Sequence, residues 1–333
     1  LNSEYELHFE RAIGPDKSKC GDYCDAIICD NDSIVAICVC DGVGSHSHDW
    51  LASETACNSL LKAFAESDRK IEDRMSEAVT IAHQDVCDLS GAAAGAATTI
   101  VFVTWEKGSD SYNFISIGDS RLYQISNDGI AQISDDDTKA IPVKIGGKLH
   151  LSGGSVTTAG AITRAIGLSP LGKIDIQSKP FNNGDMLALV TDGSHELQGF
   201  MNILDSIYDS HSLESVTNNK LFNAHKEIGN DDATIALLRR SLCTSELVNL
   251  VENCVIQSID INLPQHLIGK TIEIIMKALL ESHQSKSMLE YISYFKTHGI
   301  MINRETVIHL LDNIKDDGTK ETTEVYRELV KLC

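Results

Sequence analysis

Basic residues are scarce. Twenty-eight lysines and arginines face 48 aspartates and glutamates, a formal charge of −20, which repels polyanions and disfavours nucleic acid or an anionic membrane surface as a partner. Long hydrophobic runs are missing too. No stretch approaches the roughly 18 apolar residues of a membrane span, and no signal-peptide pattern opens the sequence as given, which starts at Leu1 rather than Met. No Cys-x-x-Cys pair is joined by a second such pair, or by a histidine pair, at zinc spacing, so a structural zinc site has no support. Walker-type and dinucleotide glycine patterns are absent, as is an obvious catalytic Cys or Ser motif.

What is present is enough to build a core: 42% of residues are hydrophobic and 23% charged, ordinary for a globular chain. The 333 residues suit one large and one small domain. Several of the ten cysteines, such as Cys29, Cys38 and Cys40, lie inside apolar runs, where a reduced thiol acts as a small hydrophobe. The expected compartment is therefore the reducing cytoplasm.

From Ala26 to Cys40 two β-branched and cysteine-rich runs flank the turn Asp30-Asn31-Asp32, a hairpin that ends at Asp41-Gly42. Helical spacing follows over Asp49 to Ala65 and Ile71 to Leu89. The runs TTIVFVTW, YNFISIG, RLYQIS and GIAQIS then read as an antiparallel meander. Asp135 to Pro170 is rich in Gly, Ser and Thr without a clear period, and reads as a long, mobile functional loop or flap. Strands KIDIQS, DMLALVT and ATIALLRR come next, with about two helices between Glu196 and Glu227. Blocks of strands and helical pairs argue for an α+β layered sandwich, not a doubly wound parallel sheet. Beyond about Ser241 only helical spacing remains, so the expected division is a domain over 1–240 and a helical appendage over 241–333.

Three apolar runs end in an acid at a turn: IVAICVC into Asp41-Gly42, NFISIG into Asp119, and DMLALVT into Asp192-Gly193; a fourth begins just after Asp231-Asp232. A single Asp-Gly is usually a turn. Four acids at the ends of strands of one sandwich would gather at one rim, where repulsion and desolvation oppose them. Hard divalent cations resolve the conflict, because carboxylate and carbonyl oxygens suit magnesium or manganese. Two such ions can supply both a nucleophile and charge stabilisation for phosphoryl chemistry.

Cys40-Asp41-Gly42-Val43-Gly44-Ser45, Gly118-Asp119-Ser120-Arg121, Thr163-Arg164-Ala165-Ile166-Gly167, Thr191-Asp192-Gly193 and Asp231-Asp232-Ala233-Thr234 resemble the ordered motifs of the type 2C metal-dependent protein phosphatases, and Cys24-Asp25-Ala26 resembles that family's first acidic motif. The resemblance runs over about residues 10 to 240. It implies a four-layer α/β/β/α sandwich of two antiparallel sheets flanked by helices, with the helical appendage added. It also implies two core Mg2+ or Mn2+ ions, with room for a third. Asp41 would bridge the core pair, with the Gly42 carbonyl and Asp25 serving one ion and Asp192 and Asp231 the other. Asp119, with Glu196, would hold the third. Asp41 and Asp192 would act catalytically through an activated hydroxide.

Asp22 rivals Asp25, and Asp232 rivals Asp231, for the same roles. The triplet Asp135, Asp136 and Asp137 reads as a solvated loop. Lys17 is the candidate phosphate-binding cation where many members carry an Arg, with Arg11 and Lys19 nearby. Val43 stands where some members place a His; His46, His48 and His195 read as loop residues or as proton donors. Arg121 is expected to pair with a surface acid, and Arg164 to pin the flap. The implied function is hydrolysis of phosphoserine and phosphothreonine in proteins, with phosphorylated proteins, a serine/threonine kinase or its substrates as partners. A catalytically weak pseudophosphatase and a small-molecule phosphatase are the rival readings.

Overall fold

The computed structural model describes residues 5–15, 17–43, 48–142, 144, 145, 148, 149, 151, 152, 155, 156, 158–210, 213, 223–225, 229, 231–241, 244–257, 265–281, 284–300, 302, 307, 308, 310, 311 and 320–331. The strands are β1 (Tyr5–Ala12), β2 (Asp22–Cys29), β3 (Ile34–Asp41), β4 (Ile100–Glu106), β5 (Ser111–Ile117), β6 (Arg121–Ser126) and β7 (Gly129–Gln132). Short strands β8 (Thr138–Pro142), β9 (Lys144–Ile145), β10 (Lys148–Leu149), β11 (Leu151–Ser152), β12 (Ser155–Val156) and β13 (Thr158–Ile162) follow, then β14 (Gln177–Pro180), β15 (Met186–Val190) and β16 (Ala233–Arg240). Helices α1 (Asp49–Glu66) and α2 (Ile71–Cys87) follow β3, and α3 (Asp192–His195) and α4 (Phe200–Tyr208) follow β15.

Two five-stranded sheets result, ordered β1-β16-β15-β6-β7 and β14-β5-β4-β3-β2. Alternation along β3 explains the layering. Ile34, Ala36, Cys38 and Cys40 share a core with Ala52, Ala56, Leu60 and Phe64 of α1 and Met75, Val79 and Ala82 of α2. The opposite face, Val35, Ile37 and Val39, is equally buried on the side where β15 and β16 lie against β3. On the far side of the first sheet, Ile125, Met186, Ala188 and Val190 bury the apolar stripe of α4, Phe200, Leu204 and Ile207. The order helix, sheet, sheet, helix is the four-layer sandwich that the sequence implied. Each fully buried large side chain contributes roughly 1.5–3 kcal/mol. Trp105 and Phe181 add an edge-to-face contact at 5.6 Å.

The β2/β3 hairpin is closed by Asp30, Asn31 and Asp32, all at positive φ, residues whose short polar side chains tolerate the left-handed region. Its ladder runs from Cys29 opposite Ile34 to Asp22 opposite Asp41. The stretch expected to be an irregular loop after Asp135 is instead a strand pair, β8 against β13, with Thr138 opposite Ile162. Its small residues hide the period-two signal, while the backbone ladder forms regardless. β1 is a strand that the sequence reading leaves out, although Tyr5, Leu7 and Phe9 alternate with Glu6, His8 and Glu10.

The chain divides into two compact units, one of Glu6–Tyr208 with Ser212–Arg240 and one of Ser241–Cys333 with two short upstream pieces. The second contains helices Thr244–Gln257, Gln265–Glu281, Ser285–Thr297 and Lys320–Val330. It has its own core of Val251, Ile272, Met276, Ile292, Phe295 and Leu329. The Asp317-Gly318 turn signal lies outside the described residues. Among the described residues no helix is long and apolar enough to cross a membrane.

Candidate metal centre

Strand ends of both sheets deliver the acids. Asp22 opens β2 directly opposite Asp41, the last residue of β3. Asp192 follows β15, and Asp119 sits in the turn between β5 and β6. The Asp41 carboxyl lies within hydrogen-bond reach of those of Asp22 and Asp192. Burial pushes Asp41 well above the usual carboxylate range, and the charges of Asp22 and Asp192 push it further. Burial likewise raises Asp22 to about 7, against hydrogen bonds from Thr191 and Thr234 that favour its charged form. Asp119 is raised to about 6, first by burial and then by Asp192.

The backbone around these acids is fixed so that the carboxylates are left to face one another. The Asp41 amide donates to Thr99 Oγ1 at 3.1 Å, and the Asp41 carbonyl accepts from Thr99 N and Thr98 Oγ1, both at 2.8 Å. Thr191 Oγ1 donates to Asp22 at 2.8 Å and accepts from Thr234 N at 2.9 Å, which joins β2, β15 and β16. Two glycines permit close approach. A Cβ on Gly42 would stand 2.6 Å from the Asp49 carbonyl, and one on Gly193 only 1.9 Å from the Asp232 oxygen. No side chain fits either place.

Asp25 does not join this cluster. Three rungs along β2 from Asp22, it faces Cys38 across the ladder, is exposed, and caps its own neighbour's amide, Ala26 N, at 2.8 Å. An odd separation on a strand places the two acids on opposite faces, so the carboxyl that faces Asp41 is that of Asp22 and not the expected Asp25. Glu196 is exposed at the C-terminal end of α3, where its amide donates to the Asp192 carbonyl at 2.9 Å. Asp119 keeps one buried carboxylate oxygen without a hydrogen-bond partner, a costly state that a cation would relieve.

Asp231 and Asp232 divide their tasks. Asp232, its side chain 1% exposed, accepts from Gly14 N, Gly21 N and Lys17 Nζ at 2.8, 2.6 and 2.8 Å. These three bonds hold the segment before β2. Asp231 is half-exposed; it pairs with Lys17 and accepts from the Asp232 amide at 2.8 Å. Burial works against the Lys17 ammonium, but its bonds to these two acids hold its pKa above the ordinary value. His225, overlooked in the sequence, donates from Nε2 to the Asp231 carbonyl at 2.6 Å and so positions this pair; a lone His gives no signal of such a role.

His195 donates from Nε2 to the Asp119 carbonyl at 3.2 Å, and burial lowers its pKa. His48 lies 6.5 Å from the Trp50 ring, centre to centre; His46 lies outside the described residues. Arg121 pairs with Asp136 at 2.8 Å. Arg164 holds Asp137 at 2.9 Å and the carbonyls of Lys173 and Ser116, which pins the base of the β8/β13 hairpin. Asp136 and Asp137 are thus ion-paired, not merely solvated.

Residues 15–228 match a known family model described as Protein phosphatase 2C. The chain belongs to the protein phosphatase 2C family. It is a metal-dependent serine/threonine protein phosphatase by that membership. A serine/threonine phosphatase of Listeria welshimeri is 24% identical over 226 residues, 64% of this phosphatase and 86% of the relative. Among solved structures, the S. agalactiae serine/threonine phosphatase superposes with a TM-score of 0.59 at 22% identity, covering 70% of this chain and 98% of its own. The Mycobacterium tuberculosis phosphatase PstP/Ppp gives 0.55 at 18% identity, covering 72% and 99%. A structure of the PstP catalytic domain in complex with two manganese ions matches equally well, at 0.55 and 18% identity over 72% and 99%.

Proposed function

We propose that this phosphatase hydrolyses phosphoserine and phosphothreonine in proteins at a binuclear Mg2+ or Mn2+ centre built on Asp22, Asp41, Gly42, Asp192 and Asp231, with Asp119 at a third position. The observation that carries the reading is the facing of the Asp22, Asp41 and Asp192 carboxyls; burial first, and neighbouring carboxylates after it, raise the pKa values of Asp41 and Asp22. Divalent cations there, when bound, activate water for in-line attack at phosphorus and draw charge from the phosphoryl oxygens. The two manganese ions of the PstP structure support the count of two.

The chain's own residues do the holding. Asp41 sits between Asp22 on one side and Asp192 on the other, the place for a bridging ligand. Gly42 N is tied to the Gly21 carbonyl at 3.2 Å, which orients the Gly42 carbonyl. Asp231 is the outer ligand, because it is half-exposed while buried Asp232 already accepts from two backbone amides and Lys17. Lys17, whose ammonium lies against Asp231 and Asp232, is the phosphate-binding cation, and would act there as a point charge. The carboxylates present favour turnover over the pseudophosphatase reading. A kinase or its substrates as partners, and a cytoplasmic setting, belong to the same proposal, as does a separate role for residues 241–333.

The test is phosphate release from a phosphothreonine peptide, with and without manganese or magnesium, for the unchanged protein and for Asp41→Asn and Asp192→Asn. Metal-dependent release lost in both variants is expected. Release that persists in chelator, or in either variant, would sink the proposal.

A further inference from the structure

Three thiols meet in the core beside the carboxylates and have no part in the chemistry above. Cys38 and Cys40 lie two apart on β3 and so project from one face. Cys57 comes down from α1, which packs on that face. All three are fully buried and free of disulfides. Their Sγ atoms lie within 4.8 Å of one another, with 3.5 Å between Cys38 and Cys40. Packing accounts for any one of them, since Ala36, Ala52 and Ala56 fill neighbouring positions of the same core. It does not account for three sulfurs converging on one point.

Sulfurs at this separation frame a soft ion. A metal–thiolate bond of about 2.3 Å places ligand sulfurs roughly 4 Å apart. The surroundings then select its charge. Apolar side chains enclose the cluster, among them Leu60 and Phe102, and a net charge there is costly. Three thiolates leave one negative charge around a divalent ion and two around a monovalent one. Around a trivalent centre they leave none.

We propose that Cys38, Cys40 and Cys57 form a binding site for a trivalent thiophilic metalloid, supplied as its neutral hydroxide in the manner of arsenite or antimonite. Three metalloid–sulfur bonds form while three S–H and three metalloid–oxygen bonds break. Each thiol proton leaves on a hydroxyl group as water. No oxidation state changes, no oxidant is needed and no charge is left in the core. Because the site is fully buried, entry requires local opening of α1 from β3, so loading is slow and mild denaturant speeds it.

The experiment uses the full chain, reduced with a phosphine, incubated with arsenite and passed through gel filtration. Native mass spectrometry is expected to show one arsenic gained and three hydrogens lost. Arsenic-edge X-ray absorption should show three sulfur neighbours and no oxygen. Cys57→Ala is expected either to shed the arsenic or to hold it by two sulfurs and an oxygen. Alkylation mapping in mild denaturant, run on the loaded and the unloaded unsubstituted protein, keeps the test independent of that variant's folding: Cys38, Cys40 and Cys57 should react in the unloaded protein and be blocked in the loaded one, while Cys20, Cys24 and Cys29 react in both. Retention of no arsenic, an oxygen neighbour in the unsubstituted protein, blockage of other cysteines instead, or tighter retention of Zn2+ than of arsenite would each overturn the proposal.

Discussion

Asp41→Asn is expected to stabilise the metal-free protein while ending its metal-dependent turnover. The substitution keeps the size of the side chain and removes a charge that lies against Asp22 and Asp192. Burial and repulsion hold Asp41 and Asp22 above their unfolded values; Asp22 rises from 3.8 to about 7. At about 1.4 kcal/mol per tenfold change in acidity, a rise of that size corresponds to about 4 kcal/mol, and about 2–4 kcal/mol is the gain expected for neutralising one member. A group whose folded pKa is raised contributes stability that is present at low pH and lost as pH rises through the folded value. The advantage of Asp41→Asn in chelator should therefore be small at pH 5 and largest above pH 7. With about 2–4 °C per kcal/mol for a domain of this size, thermal unfolding in chelator at pH 8 should rise by roughly 5–15 °C. Added manganese should restore the unchanged protein and leave the variant unmoved. A variant less stable than the parent in chelator at pH 8, or a difference independent of pH, would refute the reasoning.

Manganese affinity should fall as pH drops through 7 toward 6, because Asp22 and Asp119, raised to about 7 and about 6, must lose protons to bind; calorimetry in buffers of different ionisation heat reads the released protons, and a flat profile would argue against it. Asp22→Asn is expected to abolish turnover and Asp25→Asn to leave it within about twofold, since only the former faces Asp41; equal losses would restore Asp25 as a ligand. Gly193→Ala should fail to fold or lose several kcal/mol, because its Cβ would meet the Asp232 oxygen at 1.9 Å; a soluble variant with unchanged melting would contradict the packing. Glu10→Gln should stabilise the protein by about 1 kcal/mol above pH 6 and not at pH 4, as burial raises Glu10 to about 6 and partial solvation limits the gain; equal melting of the two proteins at pH 8 would contradict it.

Much of the sandwich can be read from the order of its runs, because β-branched stretches, turn residues and helical spacing agree with β2 to β7, α1, α2, β15 and β16, whereas the KIDIQS run is a strand only from Gln177 and the stretch after Asp135 holds a strand pair. The acids at strand ends are legible for a related reason. An apolar run that stops at Asp-Gly marks both a strand end and a carboxylate. Asp22 is harder. Choosing it over Asp25 requires the register of the β2/β3 hairpin, which depends on three consecutive left-handed residues at 30–32. Counting back from Cys29 opposite Ile34 brings Asp22 to Asp41, whereas sequence alone leaves that loop length open. Asp232 is hidden differently: its role is to accept amides of Gly14 and Gly21, more than 200 positions away, and no local pattern announces such a tie. β1 escapes notice because its alternation is carried by residues that are only half-buried at one end.

The binuclear centre stands or falls on where manganese binds. Crystals equilibrated with manganese and measured at its absorption edge should show two anomalous peaks, one between Asp22 and Asp41 and the other between Asp41 and Asp192, with Asp231 turned toward the second. Peaks confined to other acids, or no peak among these carboxylates at saturating manganese, would contradict it.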